Sequence, residues 1–75
     1  MNEKIIFDFS ELEGKIKQYY GTQDEFAKAI PMSLSSFNQK INNKVDFSNQ
    51  SIKKMATLLH IETDDIGRIF FKLKV

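Results

Sequence analysis

The chain has 75 residues, 41% of them hydrophobic and 28% charged, with eleven basic against ten acidic residues and a net charge of +1. A chain of this length holds one core, buries only about 60% of the surface it exposes when unfolded, and has a stability of roughly 4–11 kcal/mol. The absence of cysteine and the single histidine, His60, exclude disulfides, thiolate metal sites and a histidine-based zinc site.

Taken in chain order, the first segment, Lys4-Ile5-Ile6-Phe7-Asp8-Phe9, alternates with period two and reads as extended, with Ile5, Phe7 and Phe9 on one face. Ser10-Glu11-Leu12-Glu13 fits a capping box, and Leu12, Ile16 and Tyr19/Tyr20 continue it at helical spacing until Gly21 closes the helix. Thr22-Gln23-Asp24-Glu25 fits a second box. Phe26, Ala27 and Ile30 then mark a short helix that Pro31 stops, since a residue before proline is disfavoured in the α region. Ser33 is an N-cap candidate for a third helix with Leu34, Phe37 and Ile41 on one face, ending at Asn42-Asn43, where asparagine tolerates the left-handed conformation. Ser48 starts a fourth helix bearing Ile52, Met55, Ala56 and Leu59, with Phe47 and Ile52 placed as a hydrophobic staple. Thr63, with Asp64 and Asp65 favourably placed for the helix dipole, starts a brief fifth. Phe71-Lys72-Leu73-Lys74-Val75 alternates again, so the two ends are expected to be extended and to pair as a small β ribbon. The whole of residues 1–75 reads as a single, mainly α domain of five helices.

The charges are segregated. From Phe26 to Ile61 the five lysines Lys28, Lys40, Lys44, Lys53 and Lys54 face one acid, Asp46, a local charge of +4. Glu3, Asp8, Glu11, Glu13, Asp24, Glu25, Glu62, Asp64 and Asp65 lie outside that stretch. Such a pattern is either a solvated helical surface or a face that steers a polyanion. Apolar runs reach only three residues, Ile5-Ile6-Phe7 and Ile69-Phe70-Phe71, against the ~18 of a membrane span. With no signal-peptide pattern at the N-terminus, a cytoplasmic protein is expected, without a membrane partner.

Thr22–Ile30 and Ser33–Asn42 have the dimensions of a helix-turn-helix, a motif of about residues 22–43, with Ala27 small where the two helices approach. Phe26, Ile30, Met32 and Phe37 face the core, which leaves Leu34, Ser35, Asn38 and Gln39 near the outer side of the second helix. Serine, asparagine and glutamine are neutral hydrogen-bonding groups suited to base edges, or to an ordinary wet helix face. Leu34 reads either as a contact to a thymine methyl or as a core residue. The run T-Q-D-E-F-A-K-A-I-P-M-S-L-S-S-F-N-Q-K-I-N-N-K resembles the Cro and phage-repressor (XRE-type) helix-turn-helix family. The likeness extends over roughly residues 10–66, and the ends resemble small phage Cro-like proteins and modulators of repression. The resemblance implies a compact lambda-repressor-like domain with Ser33–Asn42 as recognition helix. It places Leu34, Ser35, Asn38 and Gln39 at bases, Gln23 on a phosphate, and Asn42, Asn43 and Lys44 on the DNA backbone, where Ser33 at the helix start joins them. The sequence departs from the family at Pro31 and Asn43, both usually glycine, and at Lys40-Ile41, which shifts the second apolar site by one residue.

These features lead to a phage-type transcriptional regulator in a bacterial host, binding double-stranded operator DNA as a homodimer because one helix reads only a few base pairs. The alternative is an antirepressor-like module that binds a partner phage repressor and uses the motif as scaffold. Ile69, Phe70, Phe71 and Leu73 are the expected dimer or partner surface, or else a cover for the open end of the core. No enzyme, cofactor or metal is expected. There is no nucleophile–base pair, His60 reads as a helix cap, Asp64-Asp65 as helix-start acids, and the glycines are scattered at 14, 21 and 67.

Overall fold

The computed structural model describes residues 5–74 and places five α-helices among them: α1 (Ser10–Tyr20), α2 (Gln23–Ala29), α3 (Leu34–Ile41), α4 (Asn49–Leu58) and α5 (Ile66–Phe70). A 3-10 turn at Thr63–Asp65 leads into α5. Thr22, Ser33 and Ser48 cap their helices as the sequence predicts. Each hydroxyl accepts the main-chain N–H three residues on, from Glu25, Ser36 and Ser51, at 3.1 Å. Every such bond satisfies a donor the helix leaves free. At Thr22 the cap is one-sided, because the Glu25 carboxylate lies 3.7 Å from Lys28 Nζ.

Two starts differ from expectation. Ser10 is already helical, and Asp8 does the capping instead: its Oδ1 accepts the Ser10 N–H at 2.9 Å. A carboxylate there also faces the positive end of the helix dipole. Thr63 is the first residue of the 3-10 turn rather than its cap.

The end of α2 has a different cause from the expected one. Ile30 stays right-handed at φ −71° and ψ −27°, so the proline does not expel it from the α region. Pro31 simply has no N–H to continue the ladder. The next donor, Met32, reaches back across it to the Ala27 carbonyl at 2.7 Å. The turn into α3 is thereby closed without any positive φ, which occurs among the described residues only at Gly21, Asn43 and His60.

Asn43 and His60 end α3 and α4 in the same way. The Lys44 N–H bonds to the Gln39 carbonyl at 2.8 Å and the Asn43 N–H to Lys40 at 3.1 Å. The Ile61 N–H bonds to Ala56 at 2.8 Å and the His60 N–H to Thr57 at 3.3 Å. Both are Schellman motifs, and both need a left-handed residue: Asn43 has φ 65° and His60 φ 58°. His60 therefore caps through its main chain, while its ring packs on Tyr19 with centroids 5.1 Å apart.

The inward residues of all five helices meet in one cluster containing Leu12, Ile16, Phe26, Phe37, Met55, Leu59, Ile69 and Phe70. Aromatic rings run through it, edge to face except for the tilted Phe37–Phe47 pair: Tyr20 on Phe26 at 5.0 Å, Phe26 on Phe37 and Phe37 on Phe47 at 5.9 Å, and Phe47 on Phe9 at 5.5 Å and on Phe70 at 6.3 Å. Phe47, from the loop before α4, thus joins the α2–α3 pair to α5 and to the N-terminal segment. Ile69 and Phe70 are core residues, 1% and 2% exposed. They are not the expected interaction surface, because α5 is too short to bury Ile69 and Phe70 while showing either outside. Phe71 and Leu73 alone of that group are exposed.

The ends pair as predicted, but minimally. Phe7 and Leu73 form an antiparallel bridge, flanked by Asp8 N–H to Lys72 C=O at 2.7 Å and Lys74 N–H to Ile6 C=O at 2.9 Å. The Lys4 and Val75 positions of the expected ribbon, and Glu3, lie outside the described residues. In such a pair the N–H and C=O of Phe7 point away from its partner strand. The Asn43 carboxamide takes both: Oδ1 accepts the Phe7 N–H at 2.8 Å and Nδ2 donates to the Phe7 carbonyl at 3.0 Å.

The same substitution should therefore have opposite effects at the two left-handed sites. His60→Gly relieves backbone strain and is expected to stabilise by about 0.5–1 kcal/mol. Asn43→Gly loses two partly buried hydrogen bonds and is expected to cost about 1–2 kcal/mol. Thermal or urea unfolding of the two variants checks the pair of signs. Asp8 gives a pH prediction. Its carboxyl is held below the ordinary value of 3.8, first by the Ser10 N–H, then by the Ser10 hydroxyl, and further by Lys72 and Lys74. A depressed carboxylate contributes stability above its unfolded pKa that is lost as the pH falls through the folded one. Asp8→Asn keeps the Oδ1 acceptor but not the charge. Its deficit in Tm against the unchanged protein should be open near neutrality and close as the pH drops below 3.8.

Candidate functional site

Phe37 and Ile41, four residues apart, turn one face of α3 into the core. The opposite side carries the residues that the sequence assigns to bases. Leu34, Ser35, Asn38 and Gln39 line one shallow depression of about 410 Å³ together with Asn42 and Lys44. Leu34 is 39% exposed, so of its two readings the core one fails. Six of the nine residues assigned to DNA thus share a surface.

The other three are engaged in the protein itself. The Ser33 hydroxyl accepts the Ser36 N–H. Gln23 is half-buried, and its Nε2 donates to Glu13 Oε2 at 3.3 Å. A carboxylate beside Gln23 disfavours a phosphate at that place. Asn43 has its carboxamide turned onto the Phe7 main chain rather than toward a nucleic acid backbone.

Folding also disperses the local +4. Lys28 sits 3.8 Å from Asp24 and 3.7 Å from Glu25. Lys53 and Lys54 project from α4 beside Gln50 and Thr57. Lys40 lies against the N-terminal segment, in a second cleft. Lys44 is the one lysine in the α3 depression. A short stretch of chain rich in lysine has become four separate surfaces, because α3 and α4 point their polar sides in different directions.

The second cleft has a volume of about 190 Å³ and is walled by Phe7, Phe47, Val45 and Phe71, with Lys40 and Asp46 as its charged members. Val45 is 45% exposed and Phe71 49%. Sequence reasoning named Phe71 but missed Val45 and Phe7 as surface. The available signal was Val45, an apolar residue between Lys44 and Asp46 in a loop where Phe47 already supplies the ring that packs inward.

Arg68 pairs with Glu11 and lies 3.4 Å from Asp65, which ties α5 to α1 and holds the guanidinium pKa above its usual value. Among the described residues no group of three or more His, Asp or Glu is arranged to hold a metal ion, and no helix is long and apolar enough to cross a membrane.

The chain was compared with known proteins. Its fold is similar to the solution structure of the modulator of repression of the temperate bacteriophage TP901-1 from Lactococcus lactis. The TM-score is 0.78 and the identity 37%, over 87% of this chain and 88% of that one. No curated protein matches. Residues 5–73 match the family described as protein of unknown function (DUF739). With the match running over nearly its whole length, this chain belongs to the DUF739 family.

Proposed function

We propose that this protein is a phage modulator of repression that acts by binding a repressor protein, with the α2–turn–α3 unit serving as scaffold. The observation that carries the reading is the likeness to the phage modulator, 37% identical over nearly the whole of both chains. A protein that modulates repression must act on either the operator or the repressor. Electrostatics favours the repressor. Affinity for DNA comes largely from cations on phosphates. The α3 depression holds one lysine, Gln23 is paired with an acid, and Lys28 is neutralised within its own helix. An exposed leucine among neutral amides suits a protein surface at least as well as a groove of bases.

The second reading is operator binding as a homodimer. It is favoured by one observation, the convergence of Leu34, Ser35, Asn38 and Gln39 in a single depression. The two readings separate in gel-shift and calorimetric experiments on the purified protein, a purified phage repressor from the same genome and the repressor's operator DNA. The expected outcome is a stable complex with the repressor and no footprint of the protein alone on the operator at low salt. Overturning it requires direct operator binding that weakens steeply with salt. In that case Gln39→Ala should cost about 1–3 kcal/mol at the preferred site, and Lys44→Ala should weaken all DNA alike and flatten the salt slope.

A further inference from the structure

We propose that the outer edge of the C-terminal segment, residues 71–74, is a strand-addition site, and that it takes an extended stretch of the repressor in which large apolar and acidic residues alternate. The proposal rests on the repressor-binding reading above and locates the contact.

Register supplies the main-chain half of the argument. The bonds to the N-terminal segment are made by Lys72 C=O and Lys74 N–H. Peptide groups alternate between the two edges of a strand. The N–H and C=O of Leu73 therefore point to the far edge, where they meet no main-chain group of the described residues. Phe7, in the equivalent position on the inner strand, has both outward groups taken by Asn43. One edge of the ribbon is closed by a side chain and the other is open, and an open edge is a template for a further strand.

Side chains specify the occupant. Successive residues of a strand face opposite sides. Leu73 shares a side with Ile5, Phe7 and Phe9. Phe71 ends α5 with ψ 21° and precedes the extended segment, and its ring stands edge-on to Phe7 at 5.7 Å. Phe9 and Phe7 on this side pack on the core, while Leu73 at 59% and Ile5 at 66% exposure leave its outer part apolar and uncovered. Lys72 and Lys74 occupy the other side with Asp8, which lies 3.9 Å from Lys72. Two lysines against one carboxylate leave that side positive. An added strand would set one residue against Leu73 and the residues on either side of it beside Lys72 and Lys74. Apolar residues answer the first side and carboxylates the second.

The same chemistry disfavours a second copy of this chain. Antiparallel self-pairing about Leu73 would place Lys72 opposite Lys74 of the copy and Lys74 opposite Lys72, and like charges directly opposed in a sheet are destabilising. The expected homodimer through this segment is thus the less favourable use of it.

The test uses the full chain, isotopically labelled, titrated with the purified repressor. The Leu73 amide should exchange at least about tenfold more slowly in the complex than in the free protein. Leu73→Pro removes the outward N–H and leaves the Lys72 and Lys74 bonds to the inner strand in place, as proline is tolerated on an edge. It should weaken repressor binding about tenfold or more while leaving the helical circular dichroism and Tm unchanged. Lys74→Glu should weaken binding too, and the remaining affinity should depend less on salt. An unprotected Leu73 amide in the saturated complex overturns the proposal, with no reliance on any variant. So does wild-type affinity in both Leu73→Pro and Lys74→Glu. If the repressor binds but only α3 resonances respond, this site falls and the repressor-binding function stands. If the unchanged protein binds no repressor, both fall.

Discussion

Two hydrogen bonds from the Asn43 side chain to the Phe7 main chain hold the functional surfaces of this protein in place. Asn43 sits where α3 ends, in a left-handed conformation that turns the chain away from the helix. That turn directs the carboxamide at the N-terminal segment. A glycine in this position would make the same turn and leave Phe7 with two polar groups unsatisfied on a partly buried edge. The asparagine makes the turn and completes the edge. The ribbon, the cleft under Phe71 and the direction of the open strand edge all follow from where Phe7 is held.

The aromatic chain does the corresponding task in the core. Phe47 contributes a ring from a loop, not a helix, and touches Phe9, Phe37 and Phe70 at once. Aromatic rings bring large buried area with a preferred edge-on geometry. One such ring in the centre lets short helices, none longer than the eleven residues of α1, lock against each other. The caps complete the arrangement: in helices of five to eleven residues a free N–H or C=O is a large fraction of all the main-chain groups, so hydroxyl caps and Schellman ends matter more than they do in long helices.

Folding redistributes the charge that the sequence concentrates. The lysines that cluster in sequence separate in space. Helix starts need acids, and Asp24 and Glu25 at the start of α2 draw Lys28 to themselves. Glu13 occupies Gln23 in the same region. Of the lysines without an acidic partner, Lys44 alone lies in the α3 depression, while Lys53 and Lys54 stand on α4 and Lys74 on the C-terminal segment.

Local chemistry was legible in the amino-acid sequence by itself: helix starts at Thr22, Ser33 and Ser48, ends at Gly21 and Asn43, the inward faces of the first four helices, and extended ends with period two. These depend on neighbours within a few residues, and a hydroxyl or a glycine acts there regardless of the remaining fold. The sequence also placed Leu34, Ser35, Asn38 and Gln39 on a common face, because helical periodicity alone does that. What only the tertiary structure decided was which partner each group meets. Asp8 rather than Ser10 caps α1, Ile69 and Phe70 go inward while Phe71 stays out, and Asn43 turns to Phe7 instead of outward. Each of these choices pits groups far apart in the chain against one another, with 36 residues between Phe7 and Asn43. No local pattern records the distance across which such a pair will meet, so the open edge at Leu73 and the dispersal of the lysines became visible only when the chain was folded.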